Sequence, residues 1–292
     1  MSTQAKAINA EVKGTESKVA THYGLPDLEE RILAAVARAG KDPRSLTALD
    51  LAPVDEFHVG GIEATEELAA HMELRPSMRL LDVGSGIGGP TRYFAEKHCC
   101  EVTGIDLTPE FVEVANNLSR RLKLNHLTEF RQGSALDLPF ESGTFDGAYT
   151  IHVGMNIADK AGMFREVRRV LKQGALFTVF DILFGEDTTG GNEALQYPVP
   201  WASTRETSFV GTVNDYRVAL QNAGFQIAQQ RGRREFAIEF MERAMARMAQ
   251  NGPPVLGLQI LIGDKTPAMM KGMLGMMKSG ALQPVELYVR AV

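Results

Sequence analysis

From residue 78 onward, short apolar runs alternate with stretches whose apolar residues return every three or four positions. "MRLLDV" (78–83) reads as a strand buried on both faces, because its apolar residues run on without polar alternation. The glycines of "GSGIGG" follow, then "PTRYFAEKH", with Pro90 in a first helical turn where its missing N–H is not needed. "CEVTGID" (100–106), "LTEFRQGSA" (127–135), "DGAYTIHV" and "ALFTVFDIL" (175–183) are four further strands. Phe111, Ala115, Leu118 and Leu122 share one helical face behind Thr108, a cap residue, and Pro109, a helix starter. Met163, Phe164, Val167, Val170 and Leu171 mark a second amphipathic helix. Strands separated by helices predict an α/β fold with a doubly wound, mostly parallel sheet.

Two regions break this rhythm. Residues 15–77 read as helices ahead of the first strand, with "LPDLEERILAAVARAG" the clearest, and "MSTQAKAINAEVKG" reads as a frayed tail without a signal core. Residues 184–283 hold "YPVPWAS", one α/β unit (213–233) and a helical, methionine-rich stretch, and "VELYVRAV" reads as a closing strand. The expected division is an N-terminal helical segment or lid (1–77), a cofactor-binding core (78–183), further core with helical substrate-binding insertions (184–283) and a final strand (284–292).

Composition adds limits. With 292 residues, 44% hydrophobic and 23% charged, the chain is able to bury a sizeable core. A net charge of -5 offers nothing to attract a nucleic acid, and the short cluster Arg231, Arg233 and Arg234 reads as solvated surface. Cys99 and Cys100 are adjacent, too strained a pair for a structural disulfide, which suits a reducing, cytoplasmic setting. No apolar run approaches the roughly 18 residues of a membrane span.

The chemistry begins at "LLDVGSGIGG", which satisfies G-x-G-x-x-G at Gly84, Gly86 and Gly89 between a strand and a helix. Asp106 ends the second strand, placed to grip a ribose diol. Those two features alone leave a dinucleotide and S-adenosylmethionine both open. Asp82, at the mouth of the loop, would repel a pyrophosphate yet suits the ammonium of a methionine moiety. Asp137, just past the third strand, suits an adenine amino group. The leading helices also depart from the usual dinucleotide fold.

"LLDVGSGIGGPTRYFAE", "VTGIDLTPEFVEVA", "GSALDLPFESGTFDGAYT" and "FREVRRVLKQGALFTVFD" resemble the successive motifs of class I S-adenosylmethionine-dependent methyltransferases, with a Rossmann-like core, over residues 78–183. "GIGGPTR" resembles small-molecule branches, including sterol and tocopherol C-methyltransferases and sarcosine/dimethylglycine N-methyltransferases. "DEFHVGGIEATEELA" and "HVGMNIADKA" resemble a bacterial "type 11" subgroup. The resemblance implies that Gly84 and Gly86 admit the cofactor close to the backbone and that Asp106 binds its ribose. It also implies that Leu107, Ala135 and Leu136 pack on adenine, with Asp137 as polar partner, and that Gly60 and Gly61 approach the methionine carboxylate. Ser85 and Thr150 belong to the same expected cofactor wall.

Doubly wound sheets bind ligands outside the carboxyl ends of their strands. His152 interrupts "YTIHVGMNI" at such an end, and it is either the general base or a contact that shapes the site. Asn156 is placed to orient an acceptor or the imidazole, and Tyr23, with His22, fits a lid. His58 and Met155, with Tyr197 and Trp201 of the stiff "YPVPW" segment, are the expected acceptor contacts. His71, His98 and His126 read as surface. Met241, Met245, Met248, Met269, Met270, Met273, Met276 and Met277 read as core, pliable lid or homo-oligomer contact. No spacing suits a metal. The expected activity is C-, O- or N-methylation of a small apolar or aromatic metabolite, releasing S-adenosylhomocysteine. A glycine-betaine-type N-methyltransferase, a nicotinamide-dependent oxidoreductase and a non-catalytic cofactor-binding protein are the alternatives.

Overall fold

The computed structural model describes residues 3–292. Four helices precede the sheet: α1 (Thr3–Tyr23), α2 (Leu28–Arg38), α3 (Ala48–Asp55) and α4 (Gly61–Ala70). Helix begins at Thr3, so the expected frayed tail is instead part of α1. Leu28, Ile32, Ala35 and Val36 recur at helical spacing and bury one face of α2. A reciprocal cap opens α3: the Thr47 amide donates to Asp50 at 2.9 Å, and the Asp50 amide donates to the Thr47 hydroxyl at 3.3 Å.

The alternating core follows as β1 (Arg79–Val83), α5 (Gly89–His98), β2 (Glu101–Asp106), α6 (Pro109–Arg121), β3 (Thr128–Gln132), β4 (Phe145–Ile151), α7 (Lys160–Val170) and β5 (Leu171–Phe184). Then come α8 (Val213–Asn222), β6 (Phe225–Gly232), α9 (Arg234–Asn251), α10 (Gln259–Ile262), α11 (Thr266–Ser279) and β7 (Leu282–Ala291). Among the described residues one seven-stranded sheet forms, ordered β3-β2-β1-β4-β5-β7-β6. The first five strands are parallel, and β7 runs antiparallel to both β5 and β6. The chain direction across the sheet reverses between β1 and β4, which makes that gap the switch point.

Both faces are covered, which is why the strands read as unbroken apolar runs. Leu81, Val83, Phe177, Val179 and Leu287 pack on one side with Phe164 and Val167 of α7. Leu80, Val102, Tyr149 and Phe180 pack on the other with Phe94 of α5. Thr108 precedes α6, yet its side chain makes no cap bond; its amide donates to Asp106 instead. The arginine cluster is not solvated. Arg231 and Arg233 pair with Glu67 and with Glu286, whose side chain is fully buried on β7. His71 and His98 are half-buried rather than exposed, the former against Tyr288 and the latter against Tyr93; His126 is exposed.

Candidate active site

The carboxyl ends of β1, β2 and β4 open onto one cavity of about 1130 Å³. Its floor is the loop after β1. Gly84, Gly86 and Gly88 all take left-handed φ values, 80°, 54° and 85°. A Cβ on Gly84 would collide with the Val153 side chain, whereas one on Gly86 would meet open space. The third left-handed glycine is Gly88 rather than Gly89, whose own Cβ would strike the Asp55 backbone. The Gly86 and Thr108 amides donate to the two Asp106 carboxylate oxygens at 2.8 and 2.9 Å. Burial nonetheless raises Asp106 above the usual carboxylate range. The Thr91 hydroxyl donates to Asp82 at 2.6 Å, and burial pushes the Asp82 carboxyl up to about 7.

Ser85, Leu107, Ala135, Leu136 and Gly61 line the same space, with Gly61 at the amino end of α4. The Ser85 hydroxyl is buried without a partner. A left-handed glycine cradle, an acid at the tip of β2 and an unpartnered hydroxyl fit a ligand carrying hydroxyls and a positive charge. Asp137, Thr150 and Tyr197 stand outside the cavity wall. Asp137 is exposed, turned away by the bend in which its amide donates to the Ser134 carbonyl. Thr150 is buried within β4, donating to the Val83 carbonyl of β1 at 2.9 Å. Tyr197 packs instead on the cluster beneath β5 that contains Trp201 and Met277.

β4 ends at Ile151, one residue before His152, so His152 lies in the following turn rather than in the sheet. Its φ is 55°, its amide donates to the Phe180 carbonyl at 2.7 Å, and its Nε2 is buried without a partner. Burial, with nearby His58 adding to it, holds the imidazole well below its usual range.

Asp181 of β5 secures this turn. It accepts from the amides of Val153 at 2.9 Å and Gly154 at 3.1 Å, and from the Tyr216 hydroxyl at 2.8 Å. Burial pushes Asp181 up to about 7, and a Cβ on Gly154 would collide with it. Lys160 donates to the carbonyls of Ile157 and Phe209. Sequence reasoning missed Asp181, although a single acid inside the apolar run "FTVFDIL" was its signal.

Asn156 joins three segments. Its Oδ1 accepts from the Tyr23 hydroxyl of α1 at 3.1 Å, and its Nδ2 donates to the carbonyls of Trp201 and Thr207 at 2.8 and 2.9 Å. Burial raises the Tyr23 phenol above its usual range, with Asp106 adding to the effect. His58, Met155 and Trp201 also line the cavity. The far wall is apolar, built from Phe240 and Met248 of α9, Pro253, Pro254 and Val255 beyond it, and Met270 and Met273 of α11. The methionine-rich stretch therefore serves two purposes: Met269, Met276 and Met277 fill core, while Met248, Met270 and Met273 face the cavity.

A parallel sheet in this order, with an antiparallel final pair and a ligand cavity at the switch point, defines the class I methyltransferase fold. Residues 81–179 match the family described as "Methyltransferase domain". It is similar to the tocopherol O-methyltransferase of Arabidopsis thaliana, 34% identical over 163 residues that cover 55% of this chain and 46% of that one. It is also similar to the sterol 24-C-methyltransferase of Candida albicans, 28% identical over 167 residues, 56% of this chain and 44% of that one. The matches thus span less than half the length of these curated relatives. The tocopherol relative is named an O-methyltransferase, which corrects its grouping with C-methyltransferases above. Geranyl diphosphate C-methyltransferase from Streptomyces coelicolor, solved with Mg2+, geranyl diphosphate and S-adenosylhomocysteine, has a TM-score of 0.65 at 16% identity. That alignment covers 92% of this chain and 99% of that one. No helix among the described residues is long and apolar enough to cross a membrane.

Proposed function

We propose that the protein transfers a methyl group from S-adenosylmethionine to a small, largely apolar or aromatic acceptor. The observation that carries this reading is one cavity, about 1130 Å³, that runs from the glycine loop to a wall of methionine, phenylalanine and proline. A ligand pocket typically spans about 300–1,000 Å³, so this space suits a cofactor and an acceptor together. When bound, S-adenosylmethionine supplies an electrophilic sulfonium methyl. Gly84 and Gly86 would admit it to the backbone, Asp106 would take its ribose hydroxyls, and Leu107, Ala135 and Leu136 would cover the adenine. Asp82 would face the cationic amino-acid end, and the amino end of α4 at Gly61 suits the carboxylate. The chain's own task is alignment, since fixing donor and acceptor in near-attack geometry supplies about 7–11 kcal/mol. His152 and Asn156 stand where the cofactor floor meets the apolar wall, and Tyr23 closes that junction from α1.

An acceptor of glycine-betaine type would need a cation for its carboxylate. Among the described residues Arg247 is the one arginine or lysine on the wall, and it is exposed at the rim, which favours the apolar reading. The unbridged cysteines fit a reducing compartment such as the cytoplasm. Calorimetry with S-adenosylhomocysteine against NAD tests the cofactor, and failure to bind the former sinks the proposal. Incubation with isotope-labelled S-adenosylmethionine and a metabolite extract then identifies the acceptor as the species that gains one labelled methyl group.

A further inference from the structure

One face of α1 lies against the cavity. Val12, Glu16, Val19 and Tyr23 recur at helical spacing and line it, with Thr15 beside them. Glu16 is the one acid on that face among the described residues, half-buried between the valines. A carboxylate in such a place needs hydrogen-bond donors. One is at hand: the Ser134 hydroxyl donates to Glu16 Oε1, and the Leu136 amide donates to the same hydroxyl at 3.0 Å. With its hydrogen committed to Glu16 and a lone pair to Leu136, the serine fixes where the carboxylate stands. Among the described residues nothing pairs with Oε2.

The place matters because the cavity follows the strand ends in their order across the sheet, β1, β2, β3. Asp82 and the glycine loop belong to β1, Asp106 to β2, and Gly133, Ala135 and Leu136 to the loop after β3. S-adenosylmethionine carries donors of its own: an ammonium, ribose hydroxyls and the 6-amino group of adenine. In the reading above, Asp82 faces the first and Asp106 takes the second. The third falls to the loop after β3, whose own acid, Asp137, is exposed and stands outside the cavity. Glu16 is brought to that loop by α1, from 118 residues away in the chain.

We propose that Glu16, through Oε2, accepts a hydrogen bond from the 6-amino group of the cofactor's adenine, so that α1 supplies the base-recognising acid that the loop after β3 does not. The inference rests on the methyltransferase reading. A carboxylate accepts and does not donate, so the site selects an amino group at that position of the purine and rejects a base without one. Glu16 rides on the helix that also brings Tyr23 to Asn156, and recognising the base and covering the cavity are therefore one event.

Calorimetry with two probes is the test: S-adenosylhomocysteine, and its analogue with hydrogen in place of the 6-amino group. A hydrogen bond to a charged group is worth about 10–150-fold in affinity. The wild-type protein is expected to bind S-adenosylhomocysteine at least about tenfold more tightly than the analogue. Glu16→Ala and Glu16→Gln are each expected to bring that ratio below about threefold. The glutamine keeps the length of the side chain and an oxygen for Ser134, but sets its own N–H groups against those of the base. Asp137→Ala is expected to leave the ratio at its wild-type value. A Glu16 that only anchors α1 would lower both affinities together, and an unchanged ratio in the Glu16 variants overturns the proposal. A ratio lost in Asp137→Ala also overturns it. If the wild-type protein binds neither probe, the methyltransferase reading falls and this inference with it; binding of both probes alike sinks this inference alone.

Discussion

The floor and the far wall of the cavity are made of different material. The floor consists of strand ends and left-handed glycines, with Asp82 and Asp106 held by short hydrogen bonds from neighbouring residues. The far wall consists of methionines and prolines on α9, α11 and the segment between them, with no charge but Arg247. A floor of left-handed backbone and hydrogen-bonded carboxylates tolerates little change. A wall of flexible thioethers adapts by changing rotamers. The difference predicts that substitutions in the floor remove cofactor binding, whereas substitutions in the wall tune the choice of acceptor.

The severest test of that contrast is Gly84→Val. A left-handed residue pressed against Val153 leaves no room for a side chain. S-adenosylhomocysteine affinity is expected to fall at least about 100-fold, or about 3 kcal/mol, and calorimetry showing less than a threefold change would refute the assigned floor. Next comes the junction of the two sides. Asn156→Ala removes three hydrogen bonds, joining α1 and residues 201–207 to the turn after β4. At about 1 kcal/mol for each of one or two net losses, turnover is expected to drop about five- to thirtyfold, with accelerated proteolysis within α1. Unchanged rate and unchanged proteolysis would separate α1 from the site.

A pH series probes the floor, and Asp82→Asn separates it from Asp181, which titrates in the same range. Burial raises the Asp82 carboxyl to about 7, so it is largely neutral at pH 6 and ionised at pH 8. Only the ionised form attracts a cationic amino-acid end, so binding is expected to strengthen as pH rises from 6 to 8, by up to about tenfold, with release of protons. Asp82→Asn should flatten that slope; a slope that survives in the variant removes Asp82 from cofactor contact. The smallest effect belongs to the wall. Met270→Ala and Met273→Ala are expected to change the acceptor KM by about two- to tenfold while S-adenosylhomocysteine affinity holds. A loss of cofactor affinity equal to the change in KM would erase the distinction between floor and wall.

The fold was legible because its signals are local. Apolar runs of five or six residues, the helical spacing of Phe111, Ala115 and Leu118, and Pro90 and Pro109 at helix starts each report on their own segment. The floor was legible for a similar reason: Asp82, Gly84, Gly86 and Asp106 follow strands whose ends the pattern marks. Even there the pattern of Gly84, Gly86 and Gly89 leaves out Gly88, since only the backbone shows which glycines carry the positive φ. Asp137, Thr150 and Tyr197 illustrate the opposite case, because nearness in sequence to a strand end does not set the direction of a side chain.

The chain by itself therefore determined the alternation of strands and helices, and the acids and glycines that line a cavity at the strand ends. Only the tertiary structure decided which polar groups act together. Glu56, His58 and His152 meet across about a hundred residues of chain, and Asp181 reaches the amides of Val153 and Gly154 from the next strand. Such contacts depend on how helices and strands pack, and burial then lowers the His152 imidazole and raises the Asp181 carboxyl. The sequence marks His152 as the conspicuous histidine, whereas in the folded protein it is His58 whose ring nitrogens meet Glu56, Thr65 and Val59.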